Sequence, residues 1–236
     1  MNKQKIALIT GTTRGIGREV AIQLAKDKVH VIITGRTIGA LEELHDEIEV
    51  NNGSSTIVQM DLNDFKSINN LSKSITERWG KLDILVANAA YLHNLTPLSH
   101  LEYTEWQKSI NVNINSVWML IKNFEQLLLK SNNGRAVLIT SGAALGARPF
   151  WGAYAVSKAA LEAMGRAWAA EMNETNLKIN LFDPGATKTN MRAKAYPGEN
   201  QKSLKDPKEA AKYIVKICSH KFYQNGERLN YQDMKN

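Results

Sequence analysis

The sequence KIALITGTTRGIG, from Lys5 to Gly17, decides the fold class of this chain. Its first part, Lys5 to Thr10, is a short apolar run of the kind that a strand buried on both faces needs. Its second part is a glycine turn with G-x-x-x-G-x-G spacing, and a helical stripe of Ile16, Val20 and Leu24 follows. Glycines let the backbone approach a pyrophosphate, and a helix N-terminus offers N–H groups with a partial positive charge. The stretch therefore predicts the nucleotide-binding start of an α/β domain.

Strand-like and helix-like patterns alternate along the whole chain, with no repeat or linker to divide them. The alternation predicts one domain, residues 1–236, built on a parallel sheet with right-handed crossovers and helices on both faces. A long helix is expected from about Thr104 to Leu129, although asparagines interrupt it and are poor residues for a helix interior. The later strands are expected at His30–Thr34, Thr56–Met60, Ile84–Ala87, Arg135–Thr140, Lys178–Phe182 and, weakly, Arg228–Tyr231.

Residues with unusual chemistry follow the predicted strands at their carboxyl ends. In an open parallel sheet, this edge is where ligands bind. The convergence of these positions on one edge is the strongest argument, from the residues alone, for a ligand site. They are Gly11, Arg36, Asp61, Asn88, Ser141 and Pro184.

Composition argues against several other classes of protein. An apolar content of 43% and a charged content of 22% are typical of a globular domain and do not indicate disorder. The net charge of +7 is spread over scattered residues, so we expect no nucleic-acid partner, although the positive field would attract an anionic nucleotide. The five histidines show no metal-binding spacing, so no metal is predicted. The single Cys218 and the lack of a membrane-length apolar run predict a cytoplasmic protein without a membrane partner.

A second stretch, SGAALGARPFWGAYAVSK from Ser141 to Lys158, carries a candidate reaction centre. Tyr154 and Lys158 are four residues apart in an Ala-rich segment that should be helical, so their side chains share one face. A free phenol has a pKa of about 10, and a nearby ammonium is expected to lower that pKa. The Ser141 hydroxyl can hold a carbonyl or alcohol oxygen near the phenol. Phe150 and Trp151, just before this helix, fit either a pocket for an apolar substrate or core packing.

Five short motifs together resemble those of the short-chain dehydrogenase/reductase family, in the family's order and spacing. The match spans Lys5 to about Met191, and Ala90 departs from it by standing where a Gly is usual. The resemblance implies a Rossmann-like, doubly wound parallel sheet of about six to seven strands in a three-layer sandwich. The motifs are T-G-x-x-x-G-I-G at Thr10 to Gly17, N-A-A at Asn88, N-I-N-S at Asn113, S-x12-Y-x-x-x-K at Ser141, and P-G-x-x-x-T at Pro184 to Thr189.

By this resemblance, Asn113, Ser141, Tyr154 and Lys158 would form a catalytic tetrad. Tyr154 would be the general acid/base, and Ser141 would hold the reacting oxygen. Lys158 would bond the nicotinamide ribose and lower the pKa of the phenol, and Asn113 would keep a water of the proton relay. The resemblance thus implies an oxidoreductase that passes hydride between a nicotinamide and a carbonyl or secondary-alcohol carbon.

Two arginines indicate which coenzyme such a site would take. Relatives that prefer NAD usually place an acid at the end of the second strand, where this chain has Gly35. Arg14 and Arg36 flank the same pocket and suit a 2′-phosphate, so we predict a preference for NADP(H) over NAD(H). The predicted coenzyme-binding residues are Gly11, Thr12, Arg14, Gly15, Ile16, Gly17, Arg36, Asp61, Leu62, Asn88, Ala89, Tyr154, Lys158, Pro184, Gly185, Thr187 and Thr189.

The resemblance also bears on partners and substrate. In the family, the Asn113 and Tyr154 helices make the subunit interface, so we expect a homodimer or homotetramer. Residues 190–204 fall where the family carries a mobile substrate lid. The small-molecule substrate is left open among a 3-oxoacyl thioester, a small ketone or aldehyde, a steroid-like ring and a sugar. A rival hypothesis is a catalytically silent dinucleotide-sensing or scaffold protein, but such relatives tend to have lost the Tyr or the Lys.

Overall fold

Parallel strands form the centre of the fold in the computed structural model, which describes residues 4–146 and 148–235. The strands are β1 (Ile6–Ile9), β2 (His30–Gly35), β3 (Ser54–Gln59), β4 (Ile84–Ala87), β5 (Arg135–Ile139), β6 (Lys178–Asp183) and β7 (Arg228–Asn230). They form one seven-stranded sheet in the order β3-β2-β1-β4-β5-β6-β7. Every neighbouring pair is parallel, which confirms the Rossmann-like, doubly wound fold that the alternation and the resemblance predict.

Helices cover both faces of the sheet. They are α1 (Gly15–Lys26), α2 (Ile38–Val50), α3 (Phe65–Trp79), α4 (Tyr103–Ile110), α5 (Ser116–Leu129), α6 (Gly152–Glu171), α7 (Asn190–Ala195), α8 (Pro207–Ile217) and α9 (Tyr231–Lys235). One buried apolar cluster joins the sheet to α3, α5 and α6, and a second joins the opposite face to α1, α2 and α8. Within the described ranges, no helix combines the length and the apolar character needed to cross a membrane.

Most predicted strands differ from the observed ones by one residue at an end, and two elements differ more. The expected long helix is divided, because Asn111–Asn115 wind as a π-helix between α4 and α5. The third strand begins at Ser54 rather than at Thr56. It lies at the edge of the sheet, where its residues are only half-buried, so polar residues are tolerated and the apolar pattern is weak.

The order of the strands positions the site. Chain order reverses beside β1, because β2 and β3 lie on one side of it and β4 lies on the other. In a doubly wound sheet, such a reversal opens a crevice at the carboxyl ends of the strands. Gly11 follows β1 and Asn88 follows β4, so both lie at this crevice.

Candidate active site

A cleft of about 920 Å³ lies at the carboxyl edge of the sheet. Its lining includes the glycine turn that follows β1 as well as Ser141, Tyr154 and Lys158. Its size falls in the range of roughly 300–1,000 Å³ that is typical of ligand pockets. The fold therefore brings the predicted nucleotide turn and the predicted reaction centre into one cavity, although they are far apart in sequence.

The glycine turn has a backbone that glycine adopts more readily than any other residue. Gly11 has φ +72° and Gly15 has φ +61°, both in the left-handed region. Gly15 begins α1, and Arg14 is the N-cap residue. The Arg14 side chain accepts no hydrogen bond from the first N–H groups of the helix, so it leaves them available. Such an N-terminus stabilises a bound anion, so the turn fits a pyrophosphate.

Asn88 holds this turn from behind. Its Nδ2 donates to the carbonyl oxygens of Thr10 at 2.9 Å and Gly11 at 3.1 Å. The backbone N–H groups of Asn88 and Ala89 both donate to Thr10 Oγ1 at 3.0 Å. A Cβ atom on Gly17 would lie closer than 3.0 Å to Gly11 O and Asn88 Nδ2. Gly17 is therefore needed to pack the turn against Asn88.

Two arginines give one part of the cleft a positive charge. Arg14 and Arg36 line it and are exposed, and Asp61 lines it as well. The Asp61 carboxylate accepts hydrogen bonds from the backbone and side chain of Asn63, both at 2.9 Å. A Cβ atom on Gly35 would lie 2.5 Å from Thr13 Cγ2, so a side chain at that position would require Thr13 to shift.

Tyr154 and Lys158 lie one turn apart on α6, and both side chains are buried where they line the cleft. Lys158 Nζ is 5.8 Å from the centre of the Tyr154 ring and donates to the Ile139 carbonyl at 2.7 Å. This bond to β5 fixes the amine on the same side of α6 as the phenol. Ser141 follows β5, and its Oγ accepts from the Ala143 N–H at 3.2 Å, which leaves its own hydrogen for another acceptor.

Burial dominates the protonation of both groups. It raises the pKa of Tyr154 to about 12, although a hydrogen bond with Ser141 acts in the opposite direction. Burial also lowers the pKa of Lys158 to about 8, against the attraction of Asp183 and Glu162. Lys158 is not among the groups that shift the pKa of the phenol here, so a lowering of that pKa by Lys158 stays a prediction. Burial outweighs the attraction of the two acids at Lys158, whereas at Tyr154 the charge of Asp183 raises the pKa as burial does.

The buried amine makes a prediction about stability. An unfolded lysine titrates near a pKa of about 10.4, whereas burial holds that of folded Lys158 at about 8. Between these values the unfolded chain binds more protons, so this group makes the free energy of unfolding rise with pH, by up to about 1.4 kcal/mol per pH unit. Lys158→Met should remove that contribution. Urea unfolding of both proteins through this range measures it, and an identical pH slope would contradict the prediction.

Asn113 lies behind the cleft rather than in its lining. It is fully buried in the π-helical turn, where its Oδ1 accepts from the Tyr91 N–H at 2.7 Å. Its Nδ2 donates to the Tyr91 carbonyl and to Ser157 Oγ, both at 2.9 Å. The Asn113 side chain thus fixes the segment after β4 against α6. A role in holding a relay water stays a prediction.

An aromatic cluster lies beside the phenol, and Trp151 brings it to the lining of the cleft. The Trp151 ring packs edge-on to Tyr154 with centroids 5.6 Å apart, and it lies 5.9 Å from the Tyr196 ring. Trp151 therefore serves both as core and as lining, whereas Phe150 is 54% exposed and is not among the lining residues. Around these rings lie the apolar side chains of Leu92, Ala143, Ala195, Leu95 and Met191.

The predicted lid segment includes α7 and lies against the cleft. Lys194 Nζ donates to the Leu92 carbonyl at 3.1 Å, which joins α7 to the loop after β4. Arg192 forms two hydrogen bonds with Glu199, at 2.6 and 2.5 Å, and its guanidinium lies 3.9 Å from the centre of the Tyr196 ring. These contacts describe a segment packed over the site. Its mobility stays a prediction.

Sequence reasoning missed several charged residues of the cleft. Arg148, Asp183 and Lys194 line it, as do Lys108 and Lys188. Asp183 is the last residue of β6, so the rule that placed the other candidates at strand ends could have found it. The three lysines carried no comparable signal, because two lie on the helices α4 and α7 and one lies in a loop, and only tertiary packing brings them to the cleft.

Most of the predicted site residues line the cleft. Two that do not are Thr12, whose Oγ1 donates to the Thr34 carbonyl at 3.1 Å, and Gly17, which packs behind the turn. His93 is buried outside the lining, with Nδ1 2.6 Å from the Asn94 carbonyl oxygen. No cluster of metal-ligating side chains is found in residues 4–146 and 148–235. The predicted site residues that line the cleft are Gly11, Arg14, Gly15, Ile16, Arg36, Asp61, Leu62, Asn88, Ala89, Ser141, Tyr154, Lys158, Pro184, Gly185, Thr187 and Thr189.

Comparison with known proteins agrees with this architecture. A family model described as short chain dehydrogenase matches residues 5–200. An uncharacterized oxidoreductase, YciK of Escherichia coli K12, is 34% identical over 206 residues, which cover 86% of this chain and 81% of that protein. A short-chain dehydrogenase of Escherichia coli CFT073, solved with NADPH, is 32% identical with a TM-score of 0.92 over 97% of this chain and 96% of that one. A Shigella flexneri relative solved with NADP is 31% identical, with a TM-score of 0.92 over 97% of each chain. The chain belongs to the short-chain dehydrogenase family.

Proposed function

We propose that the protein is an NADP(H)-dependent oxidoreductase acting on a carbonyl or secondary-alcohol (CH–OH/C=O) group, with Tyr154 as its general acid/base. The observation that carries the proposal is the shared cleft, in which Tyr154, Lys158 and Ser141 line the same cavity as a glycine turn suited to a pyrophosphate. A buried Tyr and Lys with shifted pKa values in such a cavity are typical of a reaction centre.

NADP(H), when bound, would donate or accept the hydride. Tyr154, whose phenol is protonated at neutral pH, donates its proton to the carbonyl oxygen during reduction. Ser141 donates its free hydroxyl hydrogen to the same oxygen. Lys158 supplies a buried amine beside the phenol, and its bond to Ile139 holds it in that position.

The preference for NADP(H) rests on Arg14, Arg36 and Gly35. The two arginines are exposed cations that line the cleft, and Gly35 provides no acid to bind both ribose hydroxyls of NAD. A guanidinium is well suited to a phosphate because it can donate two parallel hydrogen bonds. The two solved relatives that contain NADP or NADPH support the proposal.

Arg36→Ala should raise the KM for NADPH about tenfold, equivalent to about 1.4 kcal/mol, because a charge-assisted bond to the 2′-phosphate is lost. The KM for NADH should stay within about twofold, since NADH lacks that phosphate. Arg78→Ala is the matched control, because Arg78 is an exposed arginine of α3 that stacks on Trp79 outside the cleft. Equal losses with both coenzymes would contradict the assignment.

A homodimer or homotetramer through the helices that carry Asn113 and Tyr154 is also part of this proposal. Trp118 on α5 is 50% exposed and Val156 on α6 is 44% exposed, so both helices present apolar side chains outward. Exposed large apolar groups of this kind often mark an interface. A cytoplasmic location is likewise proposed.

The overall test is turnover. Purified protein would be mixed with NADPH and a panel containing a 3-oxoacyl thioester, a cyclic ketone, an aromatic aldehyde, a steroid ketone and a keto sugar. We expect at least one carbonyl to be reduced, as seen by loss of NADPH absorbance. Micromolar NADPH binding without turnover of any panel member would instead favour the sensing or scaffold hypothesis.

A further inference from the structure

Arg228 of β7 connects the last strand to the back of the candidate active site. Its Nε donates to Glu162 Oε1 at 2.8 Å, and its terminal nitrogen donates to Asp183 Oδ2 at 3.1 Å. The same nitrogen lies 3.4 Å from the carbonyl oxygen of Ser141. One guanidinium therefore joins two carboxylates and the backbone of the serine that lines the cleft.

Both carboxylates are placed to act on the reaction centre. Glu162 lies on α6 one turn beyond Lys158 and two turns beyond Tyr154, so it shares their face. Its Oε1 also accepts from Thr140 Oγ1 at 2.7 Å, directly before Ser141. Asp183 lines the cleft itself, and its Oδ1 accepts from the Gly185 N–H at 2.9 Å.

The charges in this cluster are largely hidden from water. The side chains are 4% exposed for Glu162, 12% for Asp183 and 17% for Arg228. Arg166, on the outer side of α6, also pairs with Glu162, at 3.3 Å, but is 53% exposed. Lys158 and Lys205 are further cations that interact with Asp183, and Lys205 Nζ, before α8, donates to the Ala186 carbonyl. Arg228 is thus the buried cation bonded to both acids.

We propose that Arg228 is a positioning residue of the active site, which holds Asp183, Glu162 and the Ser141 backbone in place and balances two buried negative charges beside Tyr154 and Lys158. The role in turnover rests on the proposed function, whereas the electrostatic role does not. The local geometry suits an arginine, because Nε and a terminal nitrogen of its rigid fork reach the two carboxylates from separate positions, whereas the donors of a lysine radiate from one nitrogen.

The electrostatic role is tested without any substrate. Removal of the guanidinium in Arg228→Met leaves Asp183 and Glu162 to stabilise the charged form of Lys158, so its pKa should rise by about 0.5 unit or more. NMR titration of protein labelled with 13C and 15N in lysine reports this pKa, and Lys158→Met identifies the resonance. Arg166→Met is the matched control and should leave the Lys158 titration unchanged, since Arg166 is exposed to solvent screening.

The positioning role is tested by turnover of the carbonyl that the wild-type protein reduces fastest. Arg228→Met should lower kcat about tenfold, with the KM for NADPH within about twofold, because the coenzyme turn is not touched. For alcohol oxidation by Arg228→Met, the acid limb of the pH–rate profile should move to higher pH. The reason is that two negative charges near the phenolate are no longer compensated, which raises the pKa of the phenol. Arg228→Lys should keep the pH profile, because it keeps the charge, but recover only part of kcat.

The outcomes separate this inference from the proposed function. A wild-type protein that reduces no carbonyl overturns the proposed function, while the NMR titration still decides the electrostatic role. An unchanged Lys158 titration together with unchanged kcat in Arg228→Met overturns the inference. Should Arg228→Met fail to fold, Arg228→Lys and the charge-balanced Asp183→Asn/Arg228→Met protein decide instead. A wild-type kcat in Arg228→Lys would overturn the inference. A Lys158 pKa in the double variant that differs from the wild-type value would also overturn it.

Discussion

Tyr154→Phe is expected to lower kcat/KM for carbonyl reduction about 1,000-fold, while the Kd for NADPH stays within about twofold. General acid catalysis by a positioned side chain contributes about 100- to 10,000-fold, and the phenol is the proton donor of the cleft in our proposal. The substitution removes one oxygen atom and keeps the ring that packs against Trp151. Steady-state kinetics with the best carbonyl of the panel, and quenching of protein fluorescence by NADPH, measure the two quantities.

Tyr213→Phe is the matched control for this experiment. Tyr213 lies on α8, packs edge-on to Tyr231 and is not among the lining residues of the cleft. Its variant should retain wild-type turnover. If Tyr154→Phe keeps more than about a tenth of wild-type kcat/KM, the phenol is not the general acid and another donor must be sought.

Gly17→Ala is expected to weaken NADPH binding about 100-fold or more and to lower the Tm. The new Cβ atom would lie closer than 3.0 Å to Gly11 O and Asn88 Nδ2, so the turn or Asn88 must move. Overpacking of this kind costs about 1–3 kcal/mol, and each kcal/mol lowers the Tm of a protein of this size by about 2–4 °C. The loss in affinity follows because the displaced backbone carries the N–H groups that, in our proposal, would bind the pyrophosphate.

Gly39→Ala provides the comparison, because Gly39 lies in α2 with nothing within 4 Å of its hypothetical Cβ. Alanine is the better helix former by about 1 kcal/mol, so this variant should be at least as stable as the wild type and should bind NADPH normally. Calorimetry and coenzyme titration of both variants give the contrast. A Gly17→Ala protein with wild-type affinity would show that the turn does not hold the coenzyme.

Much of the site could be predicted because it depends on local order along the chain. A short apolar run before a glycine turn predicts β1 and its ligand edge, and all strands of a parallel sheet point their carboxyl ends the same way. From that rule, the sequence predicts that Gly11, Asn88 and Ser141 lie at one edge of the sheet, and all three line the cleft. Likewise, the four-residue spacing of Tyr154 and Lys158 was enough to place them on one face of α6.

Tertiary structure decided what depends on burial and on contacts between distant segments. The spacing of Tyr154 and Lys158 says nothing about how deeply the helix is covered, and that burial raises the pKa of the phenol to about 12. Asn113 turns toward Tyr91 because the π-helical turn rotates it behind the cleft. Arg228 meets Glu162 across 66 residues of sequence, a contact that strand order creates and no local pattern encodes. The sequence by itself determined the order of elements and which residues end them, whereas packing determined solvent exposure and charge environment, because desolvation and long-range ion pairs exist only once the layers are assembled.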